Sequence, residues 1–114
     1  MISERQYREE VGKRLRLLRT AMEKSQEELA VKLGYGDTTI SNYENGDRKL
    51  NPYDAFKLKL AFGAPLEWLL GGDESVIPPS LAKKLEVGAQ KIAEEDQAAA
   101  ERLRKRRKPA ARRA

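Results

Sequence analysis

The sequence predicts an all-α protein, with a compact domain of five short helices followed by a C-terminal helix and a basic tail. Apolar residues recur at intervals of three and four, the period of one helix face, and no stretch shows the apolar–polar alternation of a half-buried strand. Residues that start and end helices are dense along the first 72 positions. The segments between them are short, so neighbouring helices must pack against one another.

The starts of the first two helices are marked by capping boxes. In such a box, an N-cap serine and an acid or amide three residues later satisfy each other's backbone N–H groups. Ser3 with Gln6 forms the first box, and Ser25 with Glu28 forms the second. The first helix is predicted over about 4–22, because its apolar residues follow one helical face.

Glycine, asparagine and proline delimit the next three helices. Residues 34–36 form a three-residue connection, because its first glycine accepts the left-handed conformation that commonly ends a helix. A third short helix is predicted over about 37–44. An Asn-Pro pair opens a fourth over about 52–62, since asparagine caps helices well and proline suits the first helical position. Pro65 opens a fifth helix, which ends at two consecutive glycines.

The chain divides into four predicted segments. These are the five-helix domain over 1–70, a linker over 71–80, a C-terminal helix over 81–107 and a basic tail over 108–114. Pro109 is expected to end the last helix, because proline lacks the N–H group that a helix interior requires.

The C-terminal helix carries a thin apolar stripe, which leaves three interpretations open. Its members are Leu81, Leu85, Ala89, Ile92, Ala99 and Leu103. In a heptad frame through Leu85, Ile92 and Ala99, the other core positions include Gly88 and Glu95. Such a core is too poor in apolar residues for a long coiled coil, although its first turns can support pairing. The helix can instead pack on the fourth helix, or stay solvated and gain stability from charge pairs. We favour local packing or dimer contacts over about 81–93.

Positive charge is concentrated at the C-terminus. The chain has a net charge of +5, but residues 1–70 carry +1, residues 71–100 carry −3 and residues 101–114 carry +7. A basic tail on a nearly neutral domain indicates a polyanionic partner.

Several functional classes are excluded by composition. The chain has no histidine and no cysteine, which excludes disulfide scaffolds, thiol nucleophiles and imidazole bases. It shows no nucleophile–base cluster and no phosphate-binding glycine loop, so we expect neither enzymatic activity nor a metal or other cofactor. Its apolar runs are far below the roughly 20 residues of a membrane span, and no signal-peptide pattern is present. We therefore expect a cytoplasmic protein without membrane contact.

The second and third predicted helices, joined by three residues, have the layout of a helix-turn-helix. Short motifs stand in register around them: Val11-Gly12-Lys13-Arg14-Leu15, Leu18-Arg19, Ser25-Gln26-Glu27-Glu28-Leu29-Ala30, Lys32-Leu33-Gly34, Thr39-Ile40-Ser41 and Tyr43-Glu44-Asn45-Gly46. With the run from Asp54 to Leu70, they resemble the Cro/lambda-repressor-type helix-turn-helix domain, also called the xenobiotic-response-element family. The resemblance implies that fold and double-stranded DNA as the partner.

A third helix docked in a major groove presents its first turns to base edges. The candidate base contacts are Asp37, Thr38, Thr39 and Asn42. Asparagine can pair with adenine, threonine offers a hydroxyl and a methyl, and aspartate can accept from cytosine. Thr39 can equally hydrogen-bond at the helix start, and Asp37 can compensate the helix dipole.

The resemblance places phosphate contacts on both sides of the third helix. The candidates are Gln26 at the start of the second helix, Ser41 on the flank of the third, and Asn45, Arg48 and Lys49 just past it. Arg48 and Lys49 can also be read as solvated loop charges. Gly36 stands where the family often has a serine N-cap, and Asp47 stands where a basic residue is common. Both departures lower the expected affinity for DNA.

Two structural features complete the expectations. The resemblance implies an ion pair between Arg19 and Glu44, which would tie the first helix to the end of the third. The fourth helix has a second apolar stripe, made of Tyr53, Phe56 and Leu60, to which Trp68 adds from the fifth. A helix that is apolar on two sides is usually covered on both. We expect this stripe to dock either a partner subunit or the C-terminal helix.

These features together predict a sequence-specific transcriptional regulator. We expect a bacterial or phage-encoded repressor, associated with the nucleoid, that binds a palindromic operator as a homodimer. The alternative is a protein-interaction module, such as an antitoxin, whose C-terminal tail binds a regulatory partner protein.

Overall fold

The chain forms six α-helices and one 3₁₀ turn over residues 1–111, which the computed structural model describes apart from the side chains of Asp37 and of 108–111. In chain order, the elements are α1 (Glu4–Ala21), α2 (Gln26–Leu33), α3 (Asp37–Glu44), α4 (Pro52–Phe62), α5 (Leu66–Leu69), the 3₁₀ turn (Glu74–Val76) and α6 (Pro79–Ala111). The described residues contain no strand, so the predicted all-α class is confirmed. None of the helices within them combines the length and apolar character that crossing a membrane requires.

The predicted caps start and end these helices. Ser3 Oγ accepts the backbone N–H of Gln6 at 3.1 Å, and Gln6 Oε1 accepts that of Ser3 at 2.9 Å. The same reciprocal pair joins Ser25 and Glu28 at the start of α2. At the end of α2, Gly34 adopts φ +83°, a left-handed conformation that glycine reaches without strain.

One core joins α1 to α5, built from the residues that the helical period places inward. Its fully buried members include Leu15 and Leu18 of α1, Leu29 of α2, Ile40 and Tyr43 of α3, Leu58 of α4 and Leu69 of α5. Burying a leucine of this kind contributes about 1.5–3 kcal/mol. The core therefore holds the helix pair α2–α3 against α1.

The close approach of α1 to α3 depends on Gly12. A Cβ atom at this position would lie 2.5 Å from the carbonyl oxygens of both Tyr43 and Glu44. Real Cβ atoms do not approach backbone oxygens this closely, so a larger residue would push the two helices apart. Gly12 thus sets the distance from α1 to the C-terminal end of α3.

The helix α6 packs on α1. Leu81 and Leu85 are buried in the shared core, and a Cβ atom at Gly88 would lie 3.0 Å from the backbone nitrogen of Ala21. Local packing, the interpretation favoured from the sequence, is therefore what the structure shows. Of the three interpretations, packing on the fourth helix is not what the structure shows, because α6 lies mainly on α1. Leu81 and Leu85 of the stripe are buried there, whereas Ala89, Ala99 and Leu103 are exposed.

The bounds of α6 differ from the predicted 81–107. The helix begins at Pro79 and continues to Ala111, so the expectation that Pro109 ends it is wrong. A proline in the last turn removes a single backbone hydrogen bond close to the end, where it costs less than in a helix interior. Of the predicted basic tail, residues 112–114 lie outside the described residues.

Candidate nucleic-acid interface

A tight turn holds α3 across α2. The backbone N–H of Tyr35 donates to the carbonyl of Ala30 at 2.9 Å, which closes the end of α2. Gly36 then serves as the N-cap of α3 without any side-chain hydrogen bond to that helix. This turn leads directly into the segment where base contacts were predicted.

The predicted base-contacting residues lie on the first two turns of α3. Thr38 is exposed, and Thr39 and Asn42 are half-buried at the surface. Asp37 is the first residue of α3, but its side chain lies outside the described residues. Buried Ile40 and Tyr43 occupy the opposite face and hold the helix to the core. The helix thus has an anchored apolar side and an accessible polar side.

The carboxylate of Glu44 joins three parts of the interface. It accepts Arg19 Nε at 2.6 Å, Arg19 Nη2 at 2.9 Å and Gln26 Nε2 at 3.1 Å. Arg19 Nη1 also donates to the carbonyl of Lys24, in the turn before α2, at 3.0 Å. The side chains of Arg19 and Glu44 are 16% and 4% exposed, so this bidentate pair is shielded from water. It links α1, the start of α2 and the end of α3.

The amide of Gln26, predicted to contact phosphate, is part of this cluster. Its side chain donates to Glu44 from the first turn of α2. The residue is therefore held at the helix N-terminus, where backbone N–H groups and the helix dipole favour an anion.

The loop that follows α3 carries the remaining phosphate candidates. Asn45, Arg48 and Lys49 are exposed, and the amide of Asn45 donates to Ser41 Oγ at 3.4 Å. The guanidinium of Arg48 lies over the ring of Tyr43, 5.6 Å from its centroid. Lys49 Nζ lies 3.4 Å from a carboxylate oxygen of Glu4. Exposed pairs of this kind contribute about 0–1 kcal/mol, so a phosphate can replace the carboxylate at little cost.

Arg8 fixes this loop, and sequence reasoning missed it. Its Nε donates to the carbonyl of Gly46 at 2.8 Å, while its Nη1 binds Glu4 at 3.1 Å. Gly46 has φ +77° and sits so close to Glu9 that a Cβ atom would lie 2.7 Å from that side chain. In the sequence, Arg8 is one of several charges on the first helix, and nothing in the local pattern indicates a partner 38 residues away.

A buried hydrogen bond between α3 and α4 was also missed. Tyr43 Oη donates to Asp54 Oδ2 at 2.9 Å, and the other carboxylate oxygen of Asp54 has no hydrogen-bond partner among the described residues. Burial, followed by the hydrogen bond to Asp54, raises the pKa of Tyr43 to about 12. The sequence contained one indication of this bond, an aspartate in the first turn of the fourth helix. An aspartate there is already favoured by the helix dipole, so it did not indicate a buried partner.

The exposed stripe of α4 consists of Tyr53, Phe56 and Leu60, which are 64%, 46% and 71% exposed. Trp68, grouped with this stripe from the sequence, is only 3% exposed and belongs to the core. That part of the prediction is wrong, because the short α5 turns its indole inward, where a large aromatic surface gains most from burial. The C-terminal helix does not cover the stripe, since α6 lies on α1.

Two helices joined by a tight turn, with an accessible polar face on the second and a basic loop behind it, define a helix-turn-helix DNA-binding protein. The comparisons agree: the family model HTH_3, described as helix-turn-helix, matches residues 15–69, nearly half of the chain. Residues 15–69 are therefore a helix-turn-helix domain of the Cro/lambda-repressor type, and the chain that carries them is a DNA-binding regulator. A search of curated proteins found no significant match to this chain.

Proposed function

We propose that the protein is a sequence-specific regulator of transcription that binds a palindromic operator in double-stranded DNA as a homodimer and represses. The observation that carries this proposal is the polar face of α3, with Thr38, Thr39 and Asn42 accessible on a helix that the core and Glu44 hold in place. A recognition helix whose angle is set before DNA arrives loses less conformational freedom when it binds. The pair between Arg19 and Glu44 supplies that constraint.

Each polar residue has a distinct role in the proposal. Asn42 pairs with adenine, while Thr38 and Thr39 contact base edges or a thymine methyl, and Asp37 accepts from a cytosine amino group. The phosphates on either side of the groove are contacted by Gln26, Ser41, Asn45, Arg48 and Lys49. These contacts set the register but do not read the sequence.

The homodimer is proposed from the exposed stripe of α4. Tyr53, Phe56 and Leu60 form one exposed helix face, on which the ammonium of Lys57 lies 4.6 Å from the centroid of the Tyr53 ring. A second copy on this face would make a two-fold symmetric pair, and two recognition helices about 34 Å apart match successive major grooves. Repression is the favoured outcome, because covering a promoter requires no further activating surface.

Selection from random double-stranded DNA at near-physiological salt tests this proposal. We expect enrichment of a two-fold symmetric motif. Thr38→Ala, Thr39→Ala and Asn42→Ala should each change the preferred base at one symmetric pair of positions, with a loss of about 1–3 kcal/mol there.

The control variant is Gln90→Ala, which alters an exposed residue of α6 and should leave the motif unchanged. Failure to enrich any motif would overturn the proposal. Uniform weakening by all three α3 variants would contradict the assigned base contacts, because phosphate contacts weaken every sequence alike.

A further inference from the structure

The distal part of α6 leaves the globular body. Its last ion pairs with α1 join Arg16 to Glu95 at 3.4 Å and to Asp96 at 3.1 Å. Beyond them, every side chain from Gln97 to Arg107 is exposed. At about 1.5 Å per residue, the helix from Asp96 to its end at Ala111 projects roughly 22 Å.

The charge of α6 changes sign where the helix leaves the body. Glu94, Glu95 and Asp96 lie at the end of the docked part. The following segment, the basic arm, comprises residues 101–107 and includes the exposed residues Arg102, Arg104, Lys105, Arg106 and Arg107. Because successive residues of a helix are rotated by about 100°, these charges surround the arm on several sides.

The composition of the basic arm favours a polyanion over a protein or a lipid surface. Leu103 is its one large apolar residue. A stable protein interface requires an apolar core depleted in charge, and an interfacial membrane helix requires a continuous apolar face. The arm offers neither, whereas closely spaced guanidinium and ammonium groups match the phosphates of a nucleic-acid backbone.

The arm continues the docked part of α6, which packs on the helix that holds the loop after α3. Leu81, Leu85 and Gly88 seat α6 on α1, and Lys91 Nζ donates to Glu23 at 3.3 Å. The same α1 holds the loop after α3 through Arg8. The basic arm therefore extends from a scaffold that is continuous with the helix-turn-helix.

We propose that the basic arm is a second DNA-binding element, which contacts backbone phosphates outside the bases read by α3 and adds affinity without sequence preference. This inference rests on the proposed function, since it assumes that α3 binds an operator. It assigns phosphate, and not base edges, as the chemistry that the arm recognises.

The salt dependence of DNA binding tests the arm. A variant with five substitutions removes five positive charges from the arm and keeps good helix formers. The substitutions are Arg102→Gln, Arg104→Gln, Lys105→Gln, Arg106→Gln and Arg107→Gln. We expect the slope of log K against log salt to become shallower by about 0.9 for each phosphate that the arm no longer neutralises. Affinity at physiological salt should fall at least ~10-fold for operator and for random DNA alike.

A matched control separates the arm from general positive charge. Arg102→Gln with Arg104→Gln removes two charges from the arm, and Lys83→Gln with Lys84→Gln removes two exposed charges from the docked part of the same helix. Only the first pair should change the salt slope. Circular dichroism should show the same melting temperature for both pairs, because these side chains are exposed.

Two results would overturn the inference. An unchanged salt slope in the variant with five substitutions would show that the arm does not contact phosphates. A changed base preference in that variant would show that the arm reads sequence. Failure of the proposed function is a separate observation, in which the unmodified protein binds operator and random DNA equally well.

Discussion

At the scale of single residues, the carboxylate of Glu44 occupies the point where three helices meet. It receives hydrogen bonds from Arg19 and Gln26 and is nearly inaccessible to water. If it is removed, the guanidinium of Arg19 stays partly buried without its counter-charge. The resulting loss in the free energy of unfolding is larger than the net stabilisation that the ion pair provides.

Glu44→Ala should therefore lower the free energy of unfolding by about 3–5 kcal/mol, measured by urea denaturation. The matched control is Glu95→Ala, which breaks an exposed pair with Arg16 and should cost less than about 1 kcal/mol. Equal effects of the two variants would contradict the structural role of Glu44.

Contacts between residues far apart in the chain were predictable only where a resemblance supplied the partner, whereas the capping boxes were predictable from local pattern. The pair between Arg19 and Glu44 was expected on that ground, and the structure contains it. The bond from Arg8 to Gly46 was missed, because no local sequence pattern selects the partner of an arginine on α1. The hydroxyl partner of Tyr43 was also missed, because it depends on how α4 crosses α3.

At the scale of elements, α6 shows how a weak sequence pattern can specify good packing. Gly88 and Glu95 made the heptad frame too poor for a coiled coil, yet both positions contact α1. Gly88 lets the backbones of the two helices approach, and Glu95 pairs with Arg16. A heptad frame describes how two copies of a helix pair, so it does not indicate whether the helix packs on its own domain.

Gly88→Leu should release α6 from α1, because the added side chain meets the backbone and Cβ of Ala21 at about 3 Å. Overpacking of this kind costs about 1–3 kcal/mol. Amide hydrogen exchange should accelerate in the docked half of α6, while protection of α2 and α3 is retained.

Ala89→Leu provides the control for this substitution, since residue 89 is exposed and the same side chain is added one position further on. It should leave exchange in α6 unchanged. Equal exchange in the Gly88→Leu variant and the unmodified protein would contradict the docking of α6 on α1.

At the scale of the whole molecule, the fold class and the order of helices followed from the sequence. Capping boxes, glycine stops and the Asn-Pro start are local features that act within a few residues. The placement of α6 did not follow, because helical period identifies an apolar face but not the surface that covers it. For the same reason, the sequence offered two occupants for the stripe of α4.

If two copies pair through the stripe of α4, charged substitutions in that stripe should lower the molar mass of the protein in solution. Phe56→Glu with Leu60→Glu should halve the mass found by sedimentation equilibrium and remove any dependence of the melting temperature on protein concentration. The monomer should stay folded, because both side chains are exposed. Ala61→Glu, a change at an exposed residue further around α4, should preserve the dimer. An unchanged mass in the double variant would contradict the proposed interface.

The central claim is that the first two turns of α3 read bases in the major groove. The most direct measurement is a crystal structure of the protein bound to the operator obtained by selection. We expect side-chain atoms of Thr38 and Asn42 within about 3.2 Å of base-edge donors or acceptors. A complex in which α3 faces away from the groove, or lies beneath another subunit with no base in reach, would contradict the claim.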